Sequence, residues 1–239
     1  MSGTRLLRLG PSAAVKQKRL ATLLEGREPR ASGLLDAVED AQLAGSLALS
    51  GFAFSWEQAT AHRRGETPPA PLAALRRARH AVEAGAPVTV EALLAWHGAA
   101  TGGRGCFRSA ERARDGGPPP APAAFVAGRL AILEQWLGTP SARELAPAQA
   151  GALVLARVVE VLPFDDANGR VSRLAASHAM VAAGGQPPIL VAGDAARLRD
   201  ALQQAFRLAT EPLAALLEEG SERGLDVMIQ VLEKSGRAG

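Results

Sequence analysis

The sequence predicts an all-α protein, a bundle of close-packed helices with one small hairpin. Three observations predict it. Hydrophobic residues make up 47% of the chain, yet aromatic ones only 4% and tyrosine none. Such a core is built from Ala, Leu and Val, which suits helices that approach closely. Apolar residues recur at helical spacing in segment after segment, and strand-like alternation is nearly absent. A chain of 239 residues is long enough for one good core.

Charge and cysteine usage bound the function. The net charge is +3, but residues 1–30 carry +5, from Arg5, Arg8, Lys16, Lys18, Arg19, Arg27 and Arg30 against Glu25 and Glu28. That basic N-terminal arm, residues 1–33, reads first as a solvated tail. Nucleic acid is not an expected partner, because no aromatic side chains interleave with the basic ones. Cys106 is the single cysteine, which excludes an internal disulfide and fits a cytoplasmic location. No run is long and apolar enough for a membrane span, so no membrane partner is expected.

Along the chain, residues 12–25 suit a short helix, broken at Glu28-Pro29-Arg30. Leu34 to Leu49 is helical, with Leu35, Val38, Leu43 and Leu47 among its apolar positions, and stops at Ser50-Gly51. Ser55-Trp56-Glu57-Gln58 has the form of a helix cap. Leu72 to Ala84 is a basic amphipathic helix whose Arg76, Arg77 and Arg79 read as a solvated face. Thr89 precedes a helix from Glu91 to His97 that Gly98 should end, with His97 packed beside Trp96. Gly102-Gly103-Arg104-Gly105-Cys106-Phe107-Arg108-Ser109 is a loop or hairpin. It is no phosphate-binding P-loop, since the Lys-Ser/Thr ending is missing. Phe125 to Leu137 is amphipathic, with Val126, Leu130, Leu133 and Leu137 on one stripe. Pro147 to Val161 is apolar nearly all round, as a central buried helix is. After residue 170, helices are expected at Arg170–Ala183, Arg197–Ala209, Leu213–Glu219 and Gly224–Lys234.

One stretch stands apart: Val161-Leu162-Pro163-Phe164-Asp165-Asp166-Ala167-Asn168-Gly169-Arg170-Val171-Ser172-Arg173. Asn-Gly is a strong turn signal. It empties into a helix N-terminus, where unpaired amides and the helix dipole favour an anion. Arg170 and Arg173 share a helix face one turn away. The physics points to a phosphate or carboxylate seat, with Asp166 placed to hold a divalent cation. The candidate bases beside it are Asp165 and His178, the latter on the packing stripe with Val171, Leu174 and Val181.

This stretch resembles the signature of the Fic family, His-x-Phe-x-Asp/Glu-Gly/Ala-Asn-Gly/Lys-Arg-x-x-Arg, whose members mostly transfer AMP from ATP to protein hydroxyls. Phe164, Asp166, Ala167, Asn168, Gly169, Arg170 and Arg173 fit the pattern. At the position of the catalytic histidine stands Leu162. The resemblance implies a Fic-type helical bundle with a β-hairpin flap, over residues 34–239 with the motif at 162–173. It assigns Asn168 and Arg170 to the catalytic machinery beside the altered Leu162. Asp166, Ala167, Asn168, Gly169, Arg170 and Arg173 are assigned to the nucleotide phosphates, and Asp166 to Mg²⁺, with ATP or another nucleotide as cosubstrate.

Two further segments follow the family's order. Residues 102–115 resemble the flap that aligns a protein target, with Phe107, Arg108 and Ser109 as its target-facing start. Residues 34–51 resemble an inhibitory helix, in which Ser46 and Gly51 match and Ser50 replaces the glutamate that pairs with the motif's last arginine. Glu25 lies at the wrong spacing to serve instead. Lacking that acid, Arg173 is expected to be free. Two function classes stay open: a pseudoenzyme that binds a nucleotide or phosphorylated small molecule as a regulator, and a transferase with a changed reaction. A protein target at the flap and a homodimer are both compatible with the resemblance.

Overall fold

The structure is a computed structural model that describes residues 11–25, 31–63, 65–114 and 117–237. It is built from helices α1 (Pro11–Leu24), α2 (Ala31–Ala48), α3 (Trp56–Arg63), α4 (Ala70–His80), α5 (Val90–Thr101), α6 (Val126–Leu137), α7 (Pro140–Arg143), α8 (Pro147–Val161), α9 (Asn168–Ala182), α10 (Ala195–Ala205) and α11 (Glu211–Arg237). Among the described residues there is no strand. No helix is long and apolar enough to cross a membrane.

The apolar helix α8 is central because it serves two cores at once. Val154, Val158 and Val161 enter one cluster, with Trp96, Leu93 and Leu130. Ala152, Leu155 and Ala156 enter the other, with Leu213, Leu216 and Leu217. Helix α9 packs antiparallel beside it and splits the same way, Val171, Leu174 and Ala175 to the first core, Ala176 and Met180 to the second. The loop between α8 and α9 is therefore held by two helices, each anchored on both sides.

Several expected boundaries hold for local reasons. The α3 cap is reciprocal: Gln58 N–H donates to Ser55 Oγ, and Ser55 N–H to Gln58 Oε1. Thr89 caps α5 through Ala92 N–H at 3.0 Å. Helix α2 ends before Gly51, whose φ of +87° suits glycine.

Others differ. Gly98 does not end α5, which runs on to Thr101 with Gly102 left-handed after it. Gly98 is instead a site of close approach. A Cβ there would lie 2.7 Å from the Gly105 nitrogen and 2.8 Å from the Gly103 carbonyl oxygen. The two C-terminal segments expected as separate helices are one helix, α11. Gly220, in the gap between the two expected segments, lies close against Pro188 and Ile189: a Cβ there would come within 3.0 Å of Pro188 Cβ and 3.1 Å of the Ile189 carbonyl oxygen.

The basic surfaces are also more engaged than expected. Arg76 donates to the buried Asp40 at 2.7 Å, and Arg63 joins them at 3.0 Å, so α2, α3 and α4 share one charged network. Arg79 meets His178, and Arg77 alone of the three is exposed. In the N-terminal region, Lys16 pairs with Asp226 at 2.7 Å and Arg19 with Glu233. Helix α1 thus docks on α11 rather than lying free in solvent; residues 1–10 and 26–30 of the basic arm lie outside the described residues.

Candidate functional site

The loop from Leu162 to Ala167 begins and ends on residues that resist their own backbone. Leu162 has φ 50° and Ala167 φ 62°, both left-handed without being glycine. Such a residue costs about 1–2 kcal/mol and persists only where its surroundings over-determine it. Here they do. Asn168 staples the loop across its width: its Oδ1 accepts the Phe164 N–H at 2.9 Å and its Nδ2 donates to the Phe164 carbonyl at 2.7 Å. The Phe164 ring, 1% exposed, is gripped between His97, stacked at 4.1 Å and 4°, and Phe107 at 5.9 Å.

Arg108 fixes the other end. Its Nε donates to the Leu162 carbonyl at 2.7 Å, its Nη2 to the carbonyls of Ala121 and Val161, and its Nη1 to that of Ala110. Its backbone N–H donates to Pro163 O at 2.9 Å. This guanidinium takes up the orphan carbonyls at the end of α8. The expectation that Arg108 faces a target is therefore corrected: its side chain is wholly buried. Phe107 is likewise half-buried against Phe164, and only Ser109 of the three is exposed. The segment 104–109 has no regular secondary structure, and the expected hairpin is not seen among the described residues.

Beyond the loop, Val171 N–H is the first amide of α9 to bond back, to Ala167 O at 2.9 Å. The amides of Asn168, Gly169 and Arg170 have no intrahelical acceptor and form a positive rim. Asp166 lies beside it, 79% exposed, with Oδ1 accepting from Ala167 N–H and Oδ2 from Arg170 Nη2 at 3.1 Å. Among the described residues no other acidic, His or Cys side chains cluster with it as a metal site. A single exposed carboxylate fits Mg²⁺, which keeps most of its waters and shares phosphate oxygens, and fits poorly a metal that needs an all-protein cage. Asp165 points into an ion pair with Arg112 instead, at 3.1 Å.

Arg173 is not free, contrary to expectation. Its Nε donates to Ser46 Oγ at 2.9 Å, and its Nη2 to Ser46 O at 2.7 Å and Ser50 Oγ at 2.8 Å. The end of α2 does reach the motif's last arginine, but with neutral oxygens. Burial, then the neighbouring Arg170, hold the Arg173 guanidinium down to about 10, so it remains charged at neutral pH.

Neither candidate base stands at Leu162. His178 is 1% exposed, accepts from Arg79 at 3.1 Å and packs on Trp96. Burial, then Arg79, push it down to about 4. His97, read as a packing residue, does pack, and on the motif itself. Its Nδ1 accepts the Cys106 N–H at 3.4 Å, and burial lowers its pKa against the opposing field of Asp166 and Asp165. Its place under Phe164 was beyond sequence reading, since an apolar run shows only that a histidine packs.

The site is a helix–loop–helix in a helical bundle, flanked by a segment without regular secondary structure on one side and a helix end on the other. The chain matches the family described as Fic/DOC over residues 87–180. It is 31% identical over 129 residues to "Protein adenylyltransferase Fic" of Aedes aegypti, covering 52% of this chain and 25% of that protein. The protein of the same name from Drosophila grimshawi is 30% identical over 133 residues, covering 52% and 26%. The chain thus spans about a quarter of the length of these relatives. Fic-1 from C. elegans superposes with a TM-score of 0.72 at 19% identity, over 93% of this chain and 74% of that one. A Fic domain containing signaling protein from Bacteroides thetaiotaomicron gives 0.75 at 16% identity, over 93% and 98%. These two likenesses concern the fold.

Proposed function

We propose that this is a Fic-type nucleotide-binding protein that has lost ordinary AMP transfer and works as a regulator or scaffold. The observation that carries the reading is the contrast between Leu162 and the seat beside it. Leu162 stands where the family signature has histidine, half-buried and with its carbonyl held by Arg108. It has no lone pair with which to take a proton. General-base catalysis of that kind is commonly worth ~10²–10⁴-fold. The anion seat keeps its free amides and Arg170. Phosphate oxygens at the start of α9 would draw Arg170 from Asp166 and leave that carboxylate for Mg²⁺, which when bound neutralises charge on the phosphates. A protein target would lay its backbone beside 104–109, completing there the strand pairing of a flap. Residues 34–239 form the working unit in this reading, with 46–51 as its gate.

The test is incubation with labelled ATP and Mg²⁺, alongside calorimetry. Wild type should bind nucleotide and transfer little or no AMP, whereas Leu162→His should gain transfer onto Ser or Thr hydroxyls. Efficient transfer by the unaltered protein, or no affinity for any nucleotide, would sink the proposal.

A further inference from the structure

Helix α6 carries apolar side chains on two sides, and the fold uses only one of them. Val126, Leu130 and Leu133 point inward and are buried in the first core. On the outer side Phe125, in the turn just before α6, is 62% exposed and Ile132 66%. The half-buried Trp136 continues their line, so the outer stripe runs for about three turns. Leu153 and Arg157 of α8 floor the groove beside it. A helix apolar on both sides is normally covered on both, and contiguous exposed apolar surface of this kind marks a binding site.

Gly128 lies in the same wall. Glycine inside a helix costs conformational entropy relative to alanine. At Gly98 and Gly220 a backbone segment lies against the glycine and accounts for it. At Gly128 nothing in the described chain does so, and a Cβ there would meet no atom within 4 Å. The residue leaves a notch in the middle of the stripe, where the backbone of an incoming helix can come close.

The charge on this wall has one sign. Arg129, exposed between Phe125 and Ile132, has no acidic partner among the described residues. Arg157 adds a second guanidinium at the floor, tied to Glu160 of its own helix. Glu134, the acid of α6, is turned to the other flank, where it accepts the Val90 N–H at 2.8 Å. We propose that this groove docks an acidic amphipathic helix of a partner protein, with aliphatic side chains on Phe125, Ile132 and Trp136 and carboxylates on Arg129 and Arg157. A second copy of the chain fits worse, because a symmetric pairing of α6 with itself puts both Arg129 side chains within a turn of the two-fold axis. A lipid surface fits worse too, since the site is concave and its unpaired cation is Arg129 alone among the lining residues. The groove shares no residue with the seat at the start of α9.

The test is calorimetry on the intact chain with a synthetic, helix-stapled peptide of about three turns, with leucine on one face and glutamate beside it. A second peptide of the same pattern carries lysine in place of glutamate. The acidic peptide should bind saturably and about tenfold more tightly than the basic one. Arg129→Glu should reverse that order. Gly128→Leu, which fills the notch without touching the core, should weaken the acidic peptide about tenfold while the thermal midpoint stays at or above that of wild type. No binding of the acidic peptide, equal binding of both, or binding that survives unchanged in Gly128→Leu would each overturn the proposal. So would a concentration-dependent dimer in sedimentation, or retention on anionic phospholipid vesicles, that Ile132→Asp abolishes, since these put a second copy or a membrane in the groove. Should Gly128→Leu fail to fold, the exchange of preference in Arg129→Glu decides the matter. None of these readouts passes through the nucleotide seat, so failure here and failure of the nucleotide reading are distinct.

Discussion

The two sides of the motif treat arginine in opposite ways. On the flap side, Arg108 is sunk among main-chain carbonyls and holds the end of α8 shut. On the α2 side, Arg173 is held by two serines at the tip of a helix. Arg108's acceptors are backbone, fixed by the fold and unable to leave. Arg173's acceptors include two hydroxyls, and Ser50 is exposed. Arg108 has only the exposed Glu111 carboxylate at 3.9 Å and Arg173 no carboxylate partner among the described residues, but only the second can exchange its partners without unfolding the chain. The same residue type is a structural strut on one side and a releasable latch on the other.

The largest test of that contrast is Arg108→Ala. It orphans the carbonyls of Leu162, Val161 and Ala121, and should cost about 3–4 kcal/mol in chemical denaturation. A loss below about 1 kcal/mol would mean that water replaces the guanidinium and that the strut is no strut.

Arg108 also marks the limit of what the sequence conveys. Helices α2, α8 and α9 were legible because period, caps and breakers agree at their ends. The motif was legible because its turn chemistry is local. Arg108's role was not, since its acceptors at the end of α8 lie 53 and 54 residues onward and nothing beside it names them. The same holds for Asp40 with Arg76, and for Gly98 and Gly220, which stay inside helices because another backbone segment lies against them. A glycine that permits close packing and one that ends a helix look alike in sequence. Ser46 and Ser50 lie at the end of a legible helix, but nothing in their own stretch shows that their hydroxyls accept from Arg173, more than a hundred residues away.

The second test is acid, and it probes the latch side, where His178 lies beneath α4. Its folded pKa is pushed down to about 4 from an ordinary 6.5. A histidine with a depressed folded value contributes no penalty above the unfolded value. As pH falls from about 6.5 to about 4, the unfolded chain takes up the proton first and stability drops, by about 3 kcal/mol in total. His178→Gln should flatten that window in urea titrations run at successive pH values. An unchanged slope would show that His178 protonates in place.

Ser50→Glu sharpens the latch directly. A carboxylate facing Arg173 should stabilise the chain and weaken nucleotide binding by about 1–3 kcal/mol, the range of a charged contact. Unchanged affinity in calorimetry would separate this helix end from the phosphate site. The smallest effect belongs to the exposed Arg112–Asp165 pair on the strut side. Arg112→Ala should shift stability by about 0.2–1 kcal/mol and lose even that in high salt. A larger loss would show that the strut extends beyond Arg108.

The contact of Gly98 with Gly103 and Gly105 has a mechanical consequence. Backbone meets backbone there, with no side chain between to act as a cushion. The first residues after α5 cannot slide along the helix or tilt toward it, so they act as a fixed pivot. Any displacement by an arriving partner must fall beyond Arg108, whose side chain and backbone N–H are themselves held. An inserted residue should therefore be tolerated after Arg114 far better than between Gly102 and Gly105, where it would misdirect Arg108 and unseat the loop from Leu162 to Ala167.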